Sequence, residues 1–195
     1  MAEPMNFLFV GVGGQGVLTA SDIAAQVGLD LGLDAKKSEV HGFAQRGGIV
    51  ESHIRWAPSV GAPTCEKGTL DILMAFELLE AARWIDWLKP GGTLVVNRQQ
   101  ITPMSASVGD AVYPEEETLL AALKKRAGKM VVVDALPLAE QAGNSRTVNT
   151  VMLAALSAAL DTPAEVWEKA ILRRVPEKYE AENREAFRLG QHAAQ

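Results

Sequence analysis

Closely spaced glycines near the N-terminus are the feature of this sequence that most directly suggests chemistry. They follow an apolar run at 7–10 and precede an apolar pattern of helical spacing that begins at 17. Gly11, Gly13 and Gly16 fit the G-x-G-x-x-G arrangement, in which a strand, a tight turn and a helix follow one another. Amide N–H groups at the start of such a helix favour an anion such as a phosphate. The pattern predicts a Rossmann-type unit and leaves two interpretations open, a dinucleotide site or a turn that serves packing alone.

The acidic residue that would complete a dinucleotide site is poorly placed. In a nucleotide-binding unit, an acid about twenty residues after the glycines closes the second strand and holds the ribose. A short second strand is predicted at 34–37, so Asp34 lies at its start and Glu39 just past its end. The acidic part of the dinucleotide pattern is therefore not clearly matched by either residue.

The segment 36–48 is rich in side chains that could contact a ligand. It fits neither a helix nor a strand, so we predict a long polar loop near the carboxyl ends of the strands, where α/β proteins bind ligands. The loop either contacts a ligand directly or is tied to its own backbone or to another subunit. The candidate cofactor-binding or interface residues are Gly11, Gly13, Gly14, Gln15, Gly16, Ser38, Glu39, His41, Gln45, Arg46, Gly47 and Gly48.

Strand and helix patterns alternate along the rest of the chain. Further strands are predicted at 49–56, 72–76, 93–97 and 130–134, and helices at 17–32, 77–88, 115–126, 149–160, from Pro163 onward and at 177–189. Apolar strands joined by helices are typical of a mostly parallel sheet with helices on both faces. We predict an α/β fold with a Rossmann-like, mostly parallel sheet and a helical C-terminal part at about 147–195. No repeat or low-complexity segment interrupts the chain, which predicts a single domain over 1–195.

Two isolated side chains, those of His53 and Cys65, are expected to have no catalytic role. The alternation in the strand 49–56 suggests that one of its faces is only partly covered, and His53 is expected on that face. Cys65 follows a turn-rich connection and is expected to be an unreactive thiol.

Charge and composition exclude several kinds of partner. Nineteen basic and twenty-four acidic residues give a net charge of −5, and no stretch gathers the basic ones, so a nucleic-acid partner is not expected. The N-terminus has no signal-peptide pattern, and no apolar run reaches the length of a membrane span. We expect a cytoplasmic protein with no membrane partner.

The reactive residues are too few for an obvious catalytic site. One cysteine excludes an internal disulfide and a cluster held by four thiolates of this chain, and His41, His53 and His192 show no metal-ligand spacing. The G-x-S-x-G, P-loop and H-E-x-x-H patterns are absent. We predict no catalytic residue and no metal ligand, so the metals of any redox reaction would belong to another chain.

The glycine turn and the segment that follows it closely resemble a known family. The strings that carry the resemblance are Gly11-Val12-Gly13-Gly14-Gln15-Gly16-Val17, Lys37-Ser38-Glu39-Val40-His41-Gly42-Phe43-Ala44-Gln45-Arg46-Gly47-Gly48 and Ser52-His53-Ile54-Arg55. They resemble the gamma-type subunit or domain of 2-oxoacid:ferredoxin oxidoreductases, and within that group the beta subunits of indolepyruvate ferredoxin oxidoreductases. The resemblance extends to Asn149 with its apolar helix and to 183–190. Phe43 is a small departure, because Met is more usual there.

This resemblance implies one subunit of a heteromeric oxidoreductase. A large partner subunit would carry thiamine diphosphate, which decarboxylates the 2-oxoacid, and iron–sulfur clusters, which pass electrons to ferredoxin. Coenzyme A would take the acyl group, with indolepyruvate or another aryl 2-oxoacid as substrate. The isolated chain would be inactive and hold no cofactor. Its glycine turn and 38–48 loop would be a structural and interface element, with the coenzyme A entrance as one candidate neighbour.

A stand-alone dinucleotide-binding enzyme or sensor is the alternative hypothesis. It predicts nucleotide binding that raises the melting temperature and that is lost when Gly13 is replaced by a bulkier residue. A pure scaffold that joins two partners is a third hypothesis, and only the family resemblance separates it from the first.

Overall fold

The computed structural model describes residues 3–41, 48–102 and 112–194 of the chain. Within these ranges there are six strands, β1 Met5–Val12, β2 Asp34–His41, β3 Ile49–Ala57, β4 Leu70–Ala75, β5 Leu88–Asn97 and β6 Lys129–Val133. The described α-helices are α1 Val17–Asp30, α2 Leu78–Trp84, α3 Glu116–Arg126, α4 Ala135–Gln141, α5 Val148–Ala159, α6 Ala164–Leu172 and α7 Glu180–Ala193. Short 3-10 turns occupy Ile85–Trp87, Ser145–Thr147 and Glu177–Tyr179. None of the described helices is long and apolar enough to cross a membrane.

The strands form one sheet in the order β2-β3-β1-β4-β5-β6. β1, β4, β5 and β6 pair in parallel, whereas β3 pairs antiparallel with both β1 and β2. β2 therefore runs in the same direction as β1, and only β3 is reversed. The predicted α/β fold with a mostly parallel sheet is confirmed.

Helices cover both faces of the sheet, as predicted, because side chains on alternate positions of the central strands enter two separate cores. Phe7 and Phe9 of β1 pack on one face with α1 and with all four helices from α4 to α7. Leu8 and Val10 pack on the opposite face with α2 and α3. The C-terminal helices therefore share a core with the first strand.

Two local predictions were wrong, and one helix was missed. β2 continues to His41, so the first half of the expected 36–48 loop is strand, stabilised by pairing with β3 along its whole length. The predicted helix 77–88 ends at Trp84, and it is followed by the 3-10 turn Ile85–Trp87 and by β5, which begins at Leu88 and not at the predicted 93. α4 was not predicted, because its seven residues, which include Pro137 in the first turn, are too few to show a helical period.

His53 is buried instead of lying on a partly covered face, with 4% of its surface exposed. The strand face on which it lies is covered by the Trp87 ring, whose centroid is 5.7 Å from that of His53, and by Cys65, whose N–H donates to His53 Nδ1 at 3.3 Å. Glu51 and Arg55, the neighbours of His53 on the same face, do remain partly exposed. The predicted partly covered face is therefore present at Glu51 and Arg55 and absent at His53, where Trp87 and Cys65 cover the strand.

Candidate functional site

The glycine turn connects β1 to α1 at the carboxyl edge of the sheet. Gly14 and Gly16 have φ angles of 103° and 76°, in the left-handed region that favours glycine. Gly16 is the N-cap of α1, and the Gln15 N–H donates to the Val12 carbonyl at 3.1 Å. The strand, tight turn and helix predicted from the glycine spacing are present.

The Gln15 side chain bridges the crevice between β1 and β4. Its Oε1 accepts from the Val12 N–H at 2.7 Å, and its Nε2 donates to the Phe76 carbonyl at 2.8 Å and to Gln99 Oε1 at 2.9 Å. α1 and α2 leave these two strands on opposite faces of the sheet, so this is the switch point at which open α/β sheets bind ligands. Here a side chain of the protein occupies the innermost part of that crevice.

Asn97 and Gln99 extend this polar network to the end of β5. Asn97 Nδ2 donates to the Phe76 carbonyl at 3.2 Å, and Asn97 Oδ1 accepts from the Ala135 N–H at 3.2 Å. Asn97 is only 2% exposed. Its amide connects the end of β5 to the residue after β4 and to the start of α4. Neither residue was among the sequence candidates, although polar residues that directly follow an apolar strand were a signal for this edge.

The space beside two of the glycines is filled by the protein itself. A Cβ on Gly11 would lie 2.8 Å from Gln15 Oε1 and 2.9 Å from a methyl group of Val17. A Cβ on Gly16 would overlap the amide of Asn149, which donates to the Gly16 carbonyl at 3.1 Å. Gly14 has open space around it. Packing therefore accounts for Gly11 and Gly16 without any ligand.

The far end of the 38–48 segment returns to the glycine turn. The Gly13 N–H donates to the Gly48 carbonyl at 2.8 Å, and β3 then pairs with β1 so that Val12 lies opposite Ile49. The structure thus brings Gly48 together with the turn. Gln45, Arg46 and Gly47 lie outside the described residues, so their predicted roles stay predictions.

Ser38 and Glu39 lie away from the turn, in the middle of β2 at the edge of the sheet. Through β3, Ser38 is in register with Leu8, and Glu39 is in register with Phe9. The backbone of His41 is in register with Gly11 but two strands away, at a spacing of roughly 5 Å per strand. The predicted site is therefore two groups, one at the glycine turn and one along β2.

A row of charges connects the β2 group to α1 and to the segment after α6. Lys37 forms ion pairs with Glu39 and Asp22, and Arg174 donates to the other oxygen of Asp22 at 2.6 Å. Burial raises the pKa of Asp22, but the two cations outweigh it and hold that pKa below its ordinary value. Burial likewise opposes the charge on Lys37, yet its two carboxylate partners raise its pKa. Glu39 thus has a structural partner within the chain.

A second polar cluster lies at the start of α2. Glu77, 1% exposed, caps the helix by accepting from the Glu80 N–H at 2.8 Å, and its other oxygen accepts from the Ile101 N–H at 3.1 Å and from the Tyr113 hydroxyl. Burial, followed by the adjacent Glu77 carboxylate, raises the pKa of Tyr113. This cluster was not among the residues predicted from the sequence, and its hydrogen bonds tie the start of α2 to Ile101 and Tyr113.

The donor set of this chain does not fit an iron–sulfur cluster. Cys65, the only cysteine, is 4% exposed, and burial raises its pKa to about 11, so it is held as a neutral thiol. The described residues contain no group of three His, Cys, Asp or Glu side chains placed to hold a metal ion. A cluster that serves a reaction of this protein would need thiolates from another chain.

The fold and the site define a class of protein, a Rossmann-like α/β chain whose crevice at the β1–β4 switch point is closed by its own polar side chains. Comparison of the sequence with family models places the chain more narrowly. It belongs to the pyruvate ferredoxin/flavodoxin oxidoreductase family, whose model matches residues 6–193. The resemblance predicted from the glycine turn and the segment after it is confirmed.

Similar proteins cover almost the whole chain. Proteins named indolepyruvate oxidoreductase subunit IorB from Pyrococcus horikoshii and Thermococcus kodakarensis are each 37% identical over 97% of this chain and 95% of their own length. The crystal structure of a keto/oxoacid ferredoxin oxidoreductase gamma subunit from Geobacter sulfurreducens superposes with a TM-score of 0.71 at 26% identity, covering 97% of this chain and 98% of that chain. The similarity therefore extends along nearly the whole length of these relatives as well as of this chain.

Proposed function

We propose that this chain is the small subunit of a heteromeric 2-oxoacid:ferredoxin oxidoreductase that converts indolepyruvate or another aryl 2-oxoacid to its acyl-CoA. The observation that carries the proposal is the near full-length match to proteins named as an indolepyruvate oxidoreductase subunit. In this proposal a large partner subunit holds thiamine diphosphate and iron–sulfur clusters, which supply the decarboxylation and the electron transfer. Ferredoxin is the electron acceptor of the complex.

The geometry of the glycine turn supports a structural and interface role for this chain. Gln15 and Asn149 occupy the space that the glycines leave, and the Gly48 carbonyl holds the Gly13 N–H. The hydrogen bonds of the turn are thus directed inward and fix its shape. We propose that this rigid turn, together with the 38–48 segment, forms part of the surface that meets the partner subunit.

The first experiment is purification of the complex through a tag on this chain. Mass spectrometry should identify a large, cysteine-rich partner, and the purified material should contain thiamine diphosphate and iron. It should reduce ferredoxin only when both indolepyruvate and coenzyme A are present, and the isolated chain should not. Activity of the isolated chain, or a purified chain without partner, thiamine and iron, would contradict the proposal.

A nucleotide panel separates this proposal from the dinucleotide alternative. Gln15 occupies the crevice next to the first glycine, so NAD, NADP and FAD should leave the melting temperature of the chain unchanged. A saturable rise that is abolished by Gly13→Val, in a variant that still folds, would favour the stand-alone enzyme or sensor instead.

A further inference from the structure

A surface cavity of about 190 Å³ lies beside the start of α1, between that helix and the C-terminal helices. It is lined by Asn149 and Asn183, the two asparagines that mark the family resemblance beyond the glycine turn. Asn149 bonds to the turn, whereas Asn183 accepts from the Thr150 hydroxyl at 2.6 Å and donates to the Tyr179 carbonyl at 2.9 Å. These bonds fix the polar wall of the cavity in one conformation.

The floor of the cavity is apolar and belongs to the protein core. Ile23 and Ile171, which line it, are only 5% and 1% exposed, and Val175 continues the same surface toward the solvent. A ligand that covers this floor would remove apolar surface from water, which favours binding.

The rim of the cavity is cationic. Arg146 and Arg174 both line it, and the described lining residues include no Asp or Glu. Arg174 donates to Asp22 at 2.6 Å, whereas Arg146 makes no ion pair with any carboxylate in the described part of the chain. The guanidinium of Arg146 is therefore the group at this rim that can bind an anion.

Two larger clefts, of about 350 and 480 Å³, lie between α6 and α7 and differ from this cavity in charge. Glu165, Glu168 and Arg184 line both of them, and Arg184 is paired with Glu168 at 3.2 Å. Their charges compensate one another within the protein, so neither cleft selects an anion.

We propose that the cavity beside α1 binds a small organic carboxylate. The apolar body of the ligand lies on Ile23, Ile171 and Val175, and its carboxylate is bound by Arg146. The volume is below the roughly 300–1,000 Å³ of pockets for drug-sized ligands, which limits the body to one ring or a short branched chain. The proposal does not depend on a partner subunit, since every residue in it belongs to this chain.

Phenylacetate is a suitable probe, tested by isothermal titration calorimetry on the full chain. It should bind saturably at one site. Phenylacetamide, which lacks the charge, and acetate, which lacks the apolar body, should each bind at least about tenfold more weakly, because each loses one of the two interactions. Equal binding of either analogue, or no saturable binding of phenylacetate, would overturn the proposal.

Arg146→Ala should weaken phenylacetate binding by about tenfold or more. Arg126→Ala is the matched control, because Arg126 lies on α3 on the opposite face of the sheet and pairs with Asp86 at 2.7 Å on the surface. It should bind the probe as the wild type does. Thr19→Trp, at the exposed mouth of the cavity, should block the probe without changing the melting temperature. Unchanged binding by Arg146→Ala would exclude the assigned anion site.

Discussion

Two structural requirements favour glycine at position 16, a left-handed backbone and a close contact. Two other glycines of the chain allow these requirements to be tested separately. Gly16 has positive φ and also contacts Asn149, whereas Gly14 has positive φ and open surroundings. Gly61 lacks both features. The three positions therefore form a graded series in which backbone strain and steric overlap are added one at a time.

Alanine substitutions at these glycines should destabilise the chain in that order. Gly61→Ala should change the free energy of unfolding by less than about 0.5 kcal/mol, and Gly14→Ala should lower it by about 1–2 kcal/mol through left-handed strain. Gly16→Ala should lower it by about 2–5 kcal/mol, because displacement of the Asn149 amide adds to the strain. Urea unfolding measures all three. Equal costs for Gly14→Ala and Gly16→Ala would show that Asn149 does not require a glycine there.

His53 should make the stability of the chain depend on pH. Burial lowers its pKa from the ordinary value of 6.5, so the folded state prefers the neutral imidazole. Stability from this group is fully present above pH 6.5 and is lost as the pH falls below 6.5 toward the folded-state pKa, because the unfolded chain then binds more protons.

The comparison that isolates this effect is with His53→Asn, whose amide oxygen can still accept from the Cys65 N–H. The difference in unfolding free energy between wild type and variant should be constant above pH 7. Below pH 6.5 it should shrink, by at most about 1.4 kcal/mol per pH unit. Parallel pH profiles would mean that His53 is not buried in the neutral form.

The elements of the sheet could be predicted where local pattern decides them. The parallel strands β4, β5 and β6 contain apolar runs because both of their faces are covered, and such runs are visible in the sequence. β2 could not be recognised in full, since its polar residues become strand only by pairing with β3, which comes later in the chain. The antiparallel position of β3 between β2 and β1 is likewise a tertiary property.

The candidate site also has one part that the sequence could predict and one part that it could not. The glycine turn was predictable because left-handed φ angles and close contacts require glycine, and the residue type records that requirement. The partners of the turn were not predictable from spacing, because Gln99 and Asn149 are brought to it by strand order and helix packing. For the same reason the sequence predicts one loop over 36–48, although β2 carries Ser38 and Glu39 away from the turn.

The crossing of α5 and α7 depends on Gly190. A Cβ there would overlap the Val151 carbonyl and lie 2.8 Å from the Cβ of Ala154, so the two helix backbones are in direct contact. Gly190→Ala should lower the free energy of unfolding by about 1–3 kcal/mol, as overpacking does, despite the higher helix propensity of alanine. Thermal unfolding tests this, with Gly61→Ala as the unstrained control. A stabilised variant would show that the helices separate easily.

The whole molecule is organised around two cores that share one sheet. The ring centroids of Trp56 in β3 and Trp167 in α6 are 6.0 Å apart in the first core, so a C-terminal helix packs directly on an early strand. Trp84 and Trp87 pack against the second core, on the other face. Because β1 contributes side chains to both cores, we expect them to unfold as a unit in spite of the helical character of the C-terminal part.

The variant Trp84→Phe/Trp87→Phe makes this expectation measurable, because its fluorescence then reports the first core alone. Its fluorescence transition in urea should coincide with the loss of far-UV circular dichroism, as a single cooperative domain requires.

Removal of residues 148–194 should abolish the cooperative unfolding transition altogether, since it takes Trp167 and Phe187 out of the core that covers Phe7. A truncated chain that still unfolds cooperatively would instead make the C-terminal helices a separate domain, and the shared core would then add little to the stability of the sheet.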